Sequence, residues 1–386
     1  MQSEIETNYS ERPSTNSSNL SSAKGGNTPV SRILNGPSQM RKVVHKMTVG
    51  DSQSEVFCAK YDPEDRYIAC GYGDGVCRIY NLETGKQSFS LSGSLALSGA
   101  IDDMPVTALK WRPQSSQLKT MNVLVTAQAD GSLKHWHTTS GKCLHSRCDN
   151  PDNHLYALDF NVDGTLLATA GRDAHVRIYD ETTKSLAVTL KERGELPGHS
   201  NRIFCVKFNP LDSNMLVSGG WDNTVQIYDV RMKGPIESIY GPHVCGDSLD
   251  FKNDGYTLLA GSYRQDDAIQ LFDLRNYKCV RTYEWDGPDG MGVAKKEIDE
   301  NRMQQFKPKT APLLYATMFN KKQDMILTGG AGKNQVRVFD YETGNIICII
   351  SDMERSVLCM DAAKTTNGFA FGSADSCLRI MEIQSN

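Results

Sequence analysis

One unit returns seven times along the 386 residues of this chain, and that repetition constrains the fold more than any other feature. Each copy has a short apolar strand, a turn, a second strand ending in small residues, a tight turn, and a third strand ending in an aromatic pair position. The copies are VFCAKYDPEDRYIACGYGDGVCRIYN from Val56, VTALKWRP with VLVTAQADGSLKHWH from Val106, and LYALDFNVDGTLLATAGRDAHVRIYD from Leu155. They continue as IFCVKFNPLDSNMLVSGGWDNTVQIYD from Ile203, CGDSLDFKNDGYTLLAGSYRQDDAIQLFD from Cys245, LLYATMFNKKQDMILTGGAGKNQVRVFD from Leu313, and SVLCMDAAKTTNGFAFGSADSCLRIME from Ser356. Asp74, Asp130, Asp173, Asp222, Asp267 and Asp375 mark the tight turn, and Asn334 takes that place in the sixth copy. Every strand is β-branched or aromatic and bounded by Gly, Asp, Asn or Pro. Such units cannot bury their faces alone and must pack side by side.

Strand counting then predicts closure. Each unit supplies three strands, and the linkers after the first six supply a fourth, as KQSFSLS does after Gly85. The seventh unit ends at Ile383 without one, while KVVHKMT from Lys42 to Thr48 precedes the first unit and has no blade of its own. The expectation is an all-β, single seven-bladed β-propeller closed by this N-terminal strand, an arrangement that leaves only short sheet edges.

Ahead of the repeats, residues 1–40 are rich in Ser, Asn, Thr and Gly. So little apolar surface cannot repay ordering entropy, so a disordered tail is expected, followed by the propeller over 41–386. Two insertions enter the second and sixth units, at 92–104 and 284–312. The longer is read as a solvated loop whose centre, Val293 to Gln305, can form a short helix on contact.

Eleven scattered cysteines with no C-x-x-C pair read as reduced thiols of a cytoplasmic or nuclear protein. No apolar run approaches the ~20 residues that cross a bilayer, and the N-terminus lacks a secretory layout, so no membrane role is expected. A net charge of −4 argues against a general grip on nucleic acid.

With the repeats and the borrowed strand in view, the chain from about Lys42 to Ile383 resembles the WD40-repeat family. The aromatic-Asp position is held by Tyr80-Asn81, Trp136-His137, Tyr179-Asp180, Tyr228-Asp229, Phe272-Asp273, Phe339-Asp340 and Met381-Glu382. The Gly-His that opens many family repeats appears as Gly198-His199. The resemblance implies a structural hydrogen-bonded network in the fourth unit, built from His199, Ser218, Asp222 and Tyr228. It also implies a non-enzymatic scaffold, monomeric within a larger complex, whose partners are other proteins.

Reactive chemistry finds no support in the motifs. LTGGAGKNQV, Leu327 to Val336, lacks the first glycine and the Ser/Thr of a phosphate loop, and no helix follows it. His135 stands where other units have Ile79, Ile178, Ile227 or Leu271, so it reads as a core histidine. With His137 alone it makes no metal site. Asp266 and Asp267 lie in an exposed turn, and no nucleophile elbow exists. No catalytic residue, metal or cofactor is expected.

Binding surfaces are the remaining candidates. At the tight turns, units seven, one and two offer Ala374, Gly73 and Ala129, whereas units three to six offer Arg172, Trp221, Tyr263 with Arg264, and Lys333. These five residues compose an interface anchor for a partner segment with acidic or aromatic side chains. The competing expectation is that Arg172 and Arg264 pair with nearby aspartates and Trp221 plugs the channel. Two units also end in Asp229-Val230-Arg231 and Asp273-Leu274-Arg275, similar to the W-D-x-R box by which some WD-repeat proteins dock on the adaptor of a cullin ubiquitin ligase. An RNA-associated propeller is a further alternative.

Overall fold

A computed structural model describes residues 32–36, 41–50, 54–93, 104–113, 122–286 and 312–385. Its strands form seven antiparallel sheets, six of four strands and one of five. Blade one comprises Val56–Tyr61, Tyr67–Tyr72, Cys77–Asn81 and Gln87–Leu91, running from the channel outward. Later blades repeat this order, and the first strands of successive blades pack against one another around the ring, including blade seven against blade one. Helix is confined, among the described residues, to one 3-10 turn at Val230–Met232, and no helix is long and apolar enough to cross a membrane.

The Asp turns form for a local reason. In blades one, two, three, four and seven the Asp side chain accepts the N–H two residues on, as Asp130 does from Ser132 at 2.8 Å. Such an Asx turn replaces a backbone turn with one side-chain bond. It turns the chain between the second and third strands, on the face that also carries the connections from one blade to the next. In blade six the glycine-rich stretch joins the second and third strands at the corresponding place, with Gly329 and Gly330 ending the second strand and Leu327 buried within it.

The closing strand is present. Arg41–Val49 pairs along the outer edge of Leu378–Ser385, with Val43 opposite Ile383 and Val49 opposite Leu378. Val43 and Val49 are buried, each in a different inter-blade core cluster.

One expectation needs correction. The predicted tail to residue 40 includes Arg32–Asn35, which forms a strand on the outer edge of blade six opposite Ile346–Ser351. Ile33 packs against the core cluster there, and Asn35 holds the backbone of Val43 through both its amide atoms. A composition reading averaged over the whole leader hides a short strand whose partner lies near the other end of the chain. Residues 1–31, and the bodies of both insertions at 94–103 and 287–311, lie outside the described residues.

Candidate interaction surface at the channel mouth

The first strand of each blade lines the channel, so two of its positions define the interior. The fifth position carries Lys60, Lys110, Asp159, Lys207, Met318 and Asp361 in six blades, and Asp250 takes the equivalent place in the fifth. Charges of both signs thus meet at one depth. Lys110 pairs with Asp159 at 2.6 Å, and Lys60 with Asp361 at 3.2 Å. The aspartates also bridge blades, because Asp361, Asp159 and Asp250 accept the backbone N–H groups of Tyr61, Phe208 and Phe319 in the following blade.

The second position points to the mouth and is Phe57, Thr107, Tyr156, Phe204, Tyr315 or Leu358 in six blades. Blade five breaks the pattern. Its first strand is regular only over Leu249–Phe251, and the Ser248 N–H donates to the Gly246 carbonyl at 2.8 Å in a tight kink. Gly246 is required there, since a Cβ would lie 2.3 Å from the carbonyl oxygen of Tyr315. The kink turns Asp247 into the channel, where it meets Lys207 at 2.7 Å and, from across the ring, Lys60 at 2.7 Å. Desolvation opposes the charge on both lysines, but Asp247 more than offsets it and their pKa values lie above the ordinary range. Burial likewise opposes the charge on Asp247, and the two ammonium groups hold it well below the usual carboxylate range. Lys110, with one carboxylate partner and two lysine neighbours, is pushed down by burial.

Above this charged floor lies a cavity of about 340 Å³ walled by those second-position side chains with Cys245 and Gly246. An aromatic ladder crosses its rim. Tyr156 stacks on Phe204 with centroids 4.7 Å apart, Phe204 meets Trp221 at 5.0 Å, and Trp221 lies near-parallel to His243 at 6.5 Å. Arg202 sits over the Trp221 ring at 5.0 Å. The Trp221 indole N–H donates to Cys245 Sγ at 2.9 Å, while burial pushes that thiol up to about 11.

The sequence candidates divide on this surface. Trp221 stands on the rim, 37% exposed. It rests on the ladder rather than filling the channel, whose floor is the Lys60–Asp247–Lys207 cluster. Arg172 and Lys333 are exposed and carry no side-chain partner among the described residues. Tyr263 packs on Tyr315 at 5.1 Å. Arg264 is engaged: its guanidinium donates to the carbonyls of Gly241 at 2.8 Å and Asp267 at 3.0 Å and to Gln270 Oε1 at 2.9 Å. It ties two loops together through carbonyls, not through an aspartate carboxylate. Reasoning from turn residues alone missed Phe57, Tyr156, Phe204, His243 and Tyr315. The available signal was the aromatic residue at the second place of four first strands.

In the fourth unit His199 bonds Asp222 and Ser218, each at 2.7 Å, and Ser218 bonds the Tyr228 hydroxyl. Blades one, three and seven lack that histidine and instead satisfy the turn Asp with an Arg four residues on, in the pairs Asp74–Arg78, Asp173–Arg177 and Asp375–Arg379. Core His135 bonds Glu181 at 2.9 Å, with both side chains buried between blades two and three. Arg231 and Arg275 each clasp their own Asp229 and Asp273 through two nitrogens while staying 65% exposed. All eleven cysteines are free, and no group of three or more potential ligands is arranged for a metal among the described residues.

Comparison with known proteins agrees with this architecture. The repeat family described as "WD domain, G-beta repeat" matches residues 42–81, 141–180 and 190–229. Among similar proteins is the U3 small nucleolar RNA-associated protein 21 homolog of Schizosaccharomyces pombe, 32% identical over 55% of this chain and 21% of its own length. WD repeat-containing protein 89 homolog of Dictyostelium discoideum is 24% identical over 72% of this chain and 74% of its own. Protein SOF1 of Saccharomyces cerevisiae is 24% identical over 45% of this chain and 36% of its own. The chain therefore spans well under two thirds of the first and third of these relatives. With the seven blades and the borrowed closing strand, these matches place the chain in the WD-repeat family.

Proposed function

We propose that this protein is a non-enzymatic scaffold that grips a partner protein's segment across the channel mouth, over blades three to six. The supporting observation is the ladder of Tyr156, Phe204, Trp221 and His243 beside a cavity of about 340 Å³. Interfaces concentrate their energy where a rigid aromatic stands at the centre of a pocket. An apolar or aromatic anchor on the partner fills the cavity, and acidic flanks meet Arg172 and Lys333. Tyr263 continues the aromatic surface, and Arg264 acts by holding the loops in place. The proposed setting is a reducing compartment, cytoplasm or nucleus, in keeping with eleven free thiols.

The alternative contact, through Asp229–Arg231 and Asp273–Arg275, concerns the opposite face. One purification separates the two readings. Tagged chain, its Trp221→Ala variant and an Arg231→Ala/Arg275→Ala variant are recovered from cells and their partners identified by mass spectrometry. Partners lost with Trp221→Ala and kept by the arginine variant support the mouth. Partners lost only with the arginine variant, the cullin adaptor among them, overturn it.

An RNA-associated assembly is a second reading, favoured by the name of the fission-yeast relative. In that setting the propeller holds protein rather than RNA, and nuclease treatment leaves its direct partner bound.

A further inference from the structure

A second surface lies on the outer edge of blade six. Outer strands are where a propeller still exposes unpaired N–H and C=O groups, and such edges recruit other strands unless charge or a cover blunts them. Blades two, four, five and seven place charge there: Lys142 and Arg147, Glu237, Lys278 and Arg281, and Arg41, Lys42 and Lys46. Blades one and three have no charge in the outer strand but break its apolar run with Gln87, Ser88 and Ser90, and with Ser185 and Thr189. Blade six instead presents Ile346-Ile347-Cys348-Ile349-Ile350-Ser351, with four isoleucines and no charge. Among the described residues, this edge is the one that carries an added fifth strand, Arg32–Asn35.

That cover is slight. Four residues pair with Cys348 to Ser351, and Gly36 N–H adds a bond to the Ile347 carbonyl at 2.7 Å. Ile33 is its one side chain packed on the core, and Leu34 is 44% exposed. Beneath it, Ile347, Cys348 and Ile350 are buried members of the cluster that joins blades six and seven. The strand therefore adds little hydrophobic area of its own, while it satisfies an edge that is otherwise apolar and open.

We propose that Arg32–Asn35 is an edge guard, and that the occupant it excludes is the blade-six edge of a second copy of this chain. The Ile346–Ser351 strand is uncharged along its length and apolar up to Ser351, and antiparallel pairing of the edge with itself about a two-fold axis makes the same contacts from both sides. The guard keeps the protein monomeric, and its release opens a propeller-to-propeller interface remote from the channel mouth. Because Ile347 directs its carbonyl to the guard, alternation places the N–H of Ile349 on the same edge. A proline at that position removes the donor a second copy needs, without removing a bond to the neighbouring strand of blade six.

The test is the mass of the particle in solution by light scattering across a concentration series. Intact chain is expected as a monomer. Chain lacking residues 1–36 is expected to double in mass with its circular dichroism unchanged, and to return to a monomer with Ile349→Pro or with excess peptide covering residues 31–37. Ile33→Asp in the full-length chain leaves the ring untouched and is expected to give the same dimer at higher concentration, so the inference does not hang on one truncation. A truncated chain that folds and stays monomeric throughout overturns the proposal. So does a dimer that forms equally well with Ile349→Pro, or an intact chain that already dimerises to the same extent.

Discussion

The seam between blades seven and one differs sharply from the seam between blades four and five. At the first, blade seven is assembled from both ends of the repeat region: its outer strand, Arg41–Val49, runs on in the chain to blade one, while its three inner strands reach that strand through hydrogen bonds alone. Asp361 accepts the Tyr61 N–H at 2.9 Å, Lys60 pairs with Asp361, and Asp65 accepts the N–H groups of Lys364, Thr365 and Thr366 at 2.7–2.8 Å. The Thr365 and Thr366 hydroxyls add two more bonds to that carboxylate. At the second seam the chain runs on through Gly241–Val244, and the first strand of blade five is kinked at Gly246 rather than paired along its length. Here each blade is one continuous run of chain, so no long loop has to be closed to form the joint. Regular pairing can be given up there to shape a mouth and its charged floor. The seam whose blade is assembled from distant segments is fastened by Asp65 and Asp361, and the seam between two continuous blades carries the kink that brings Asp247 into the channel.

The largest effect should come from undoing the fastening altogether. Removing residues 1–49 takes away the outer strand of blade seven with buried Val43 and Val49. The loss is expected to match the whole margin of roughly 5–15 kcal/mol that holds a domain folded. Circular dichroism melting should then show no cooperative transition. Next comes Asp247→Ala, which strands the ammonium groups of Lys60 and Lys207 in the channel without their shared carboxylate. Removing one member of a buried ion cluster costs about 3 kcal/mol. Urea unfolding should show it as a lowered midpoint with an unchanged slope. A smaller loss than for Asp65→Ala would mean that the four–five seam is the more tolerant of the two even at its charged floor.

Asp65→Ala is expected to cost about 1–2 kcal/mol, because the three N–H groups it releases are exposed enough to find water. Asp65 also sits at φ 54°, which Asn tolerates better than most residues. Asp65→Asn should therefore recover part of the loss. Burial opposes the charge on Asp65, but the N–H bonds from Lys364, Thr366 and Thr365 prevail and hold its pKa below the ordinary value. The sign of the linkage follows. Its contribution is present in full above the unfolded-state carboxylate value, and is lost as pH falls through the lower folded-state value. The stability difference between wild type and Asp65→Ala should shrink in acid, and a difference constant from pH 7 to pH 2 would show that the carboxylate's charge does not matter.

The ring is legible in the residues themselves because it is built by repetition. The recurring Asp turns and a leftover strand at Lys42 are local signals, and local signals survive in a sequence. The charged floor is also written there, as the Lys or Asp before the last residue of six first strands, but each residue alone looks like an ordinary polar strand position. Only the radial arrangement turns Lys60 and Asp247, 187 residues apart, into neighbours. Asp65 and the loop at Lys364–Thr366 are out of reach of sequence reasoning for the same reason. Arg264 shows the converse limit. Its residue type fits an interface, yet in the fold its donors are already spent on Gly241, Asp267 and Gln270.

The smallest expected effect on stability separates surface from scaffold at the mouth. Trp221 is partly exposed and loses by substitution its contacts with Phe204, His243 and Arg202, together with the bond to Cys245. None of these closes a blade, so Trp221→Ala should lower stability by no more than about 1 kcal/mol. Arg264→Ala removes a clasp on the loop carbonyls of Gly241 and Asp267 and on the strand residue Gln270, and should cost at least as much, although the residue stands on the same rim. Measured side by side by urea unfolding and partner capture, Trp221→Ala should lose the partner and keep the fold. Arg264→Ala should weaken both together. If Trp221→Ala proves the more damaging to stability, the ladder is a strut of the four–five seam, and the mouth has to bind through other residues.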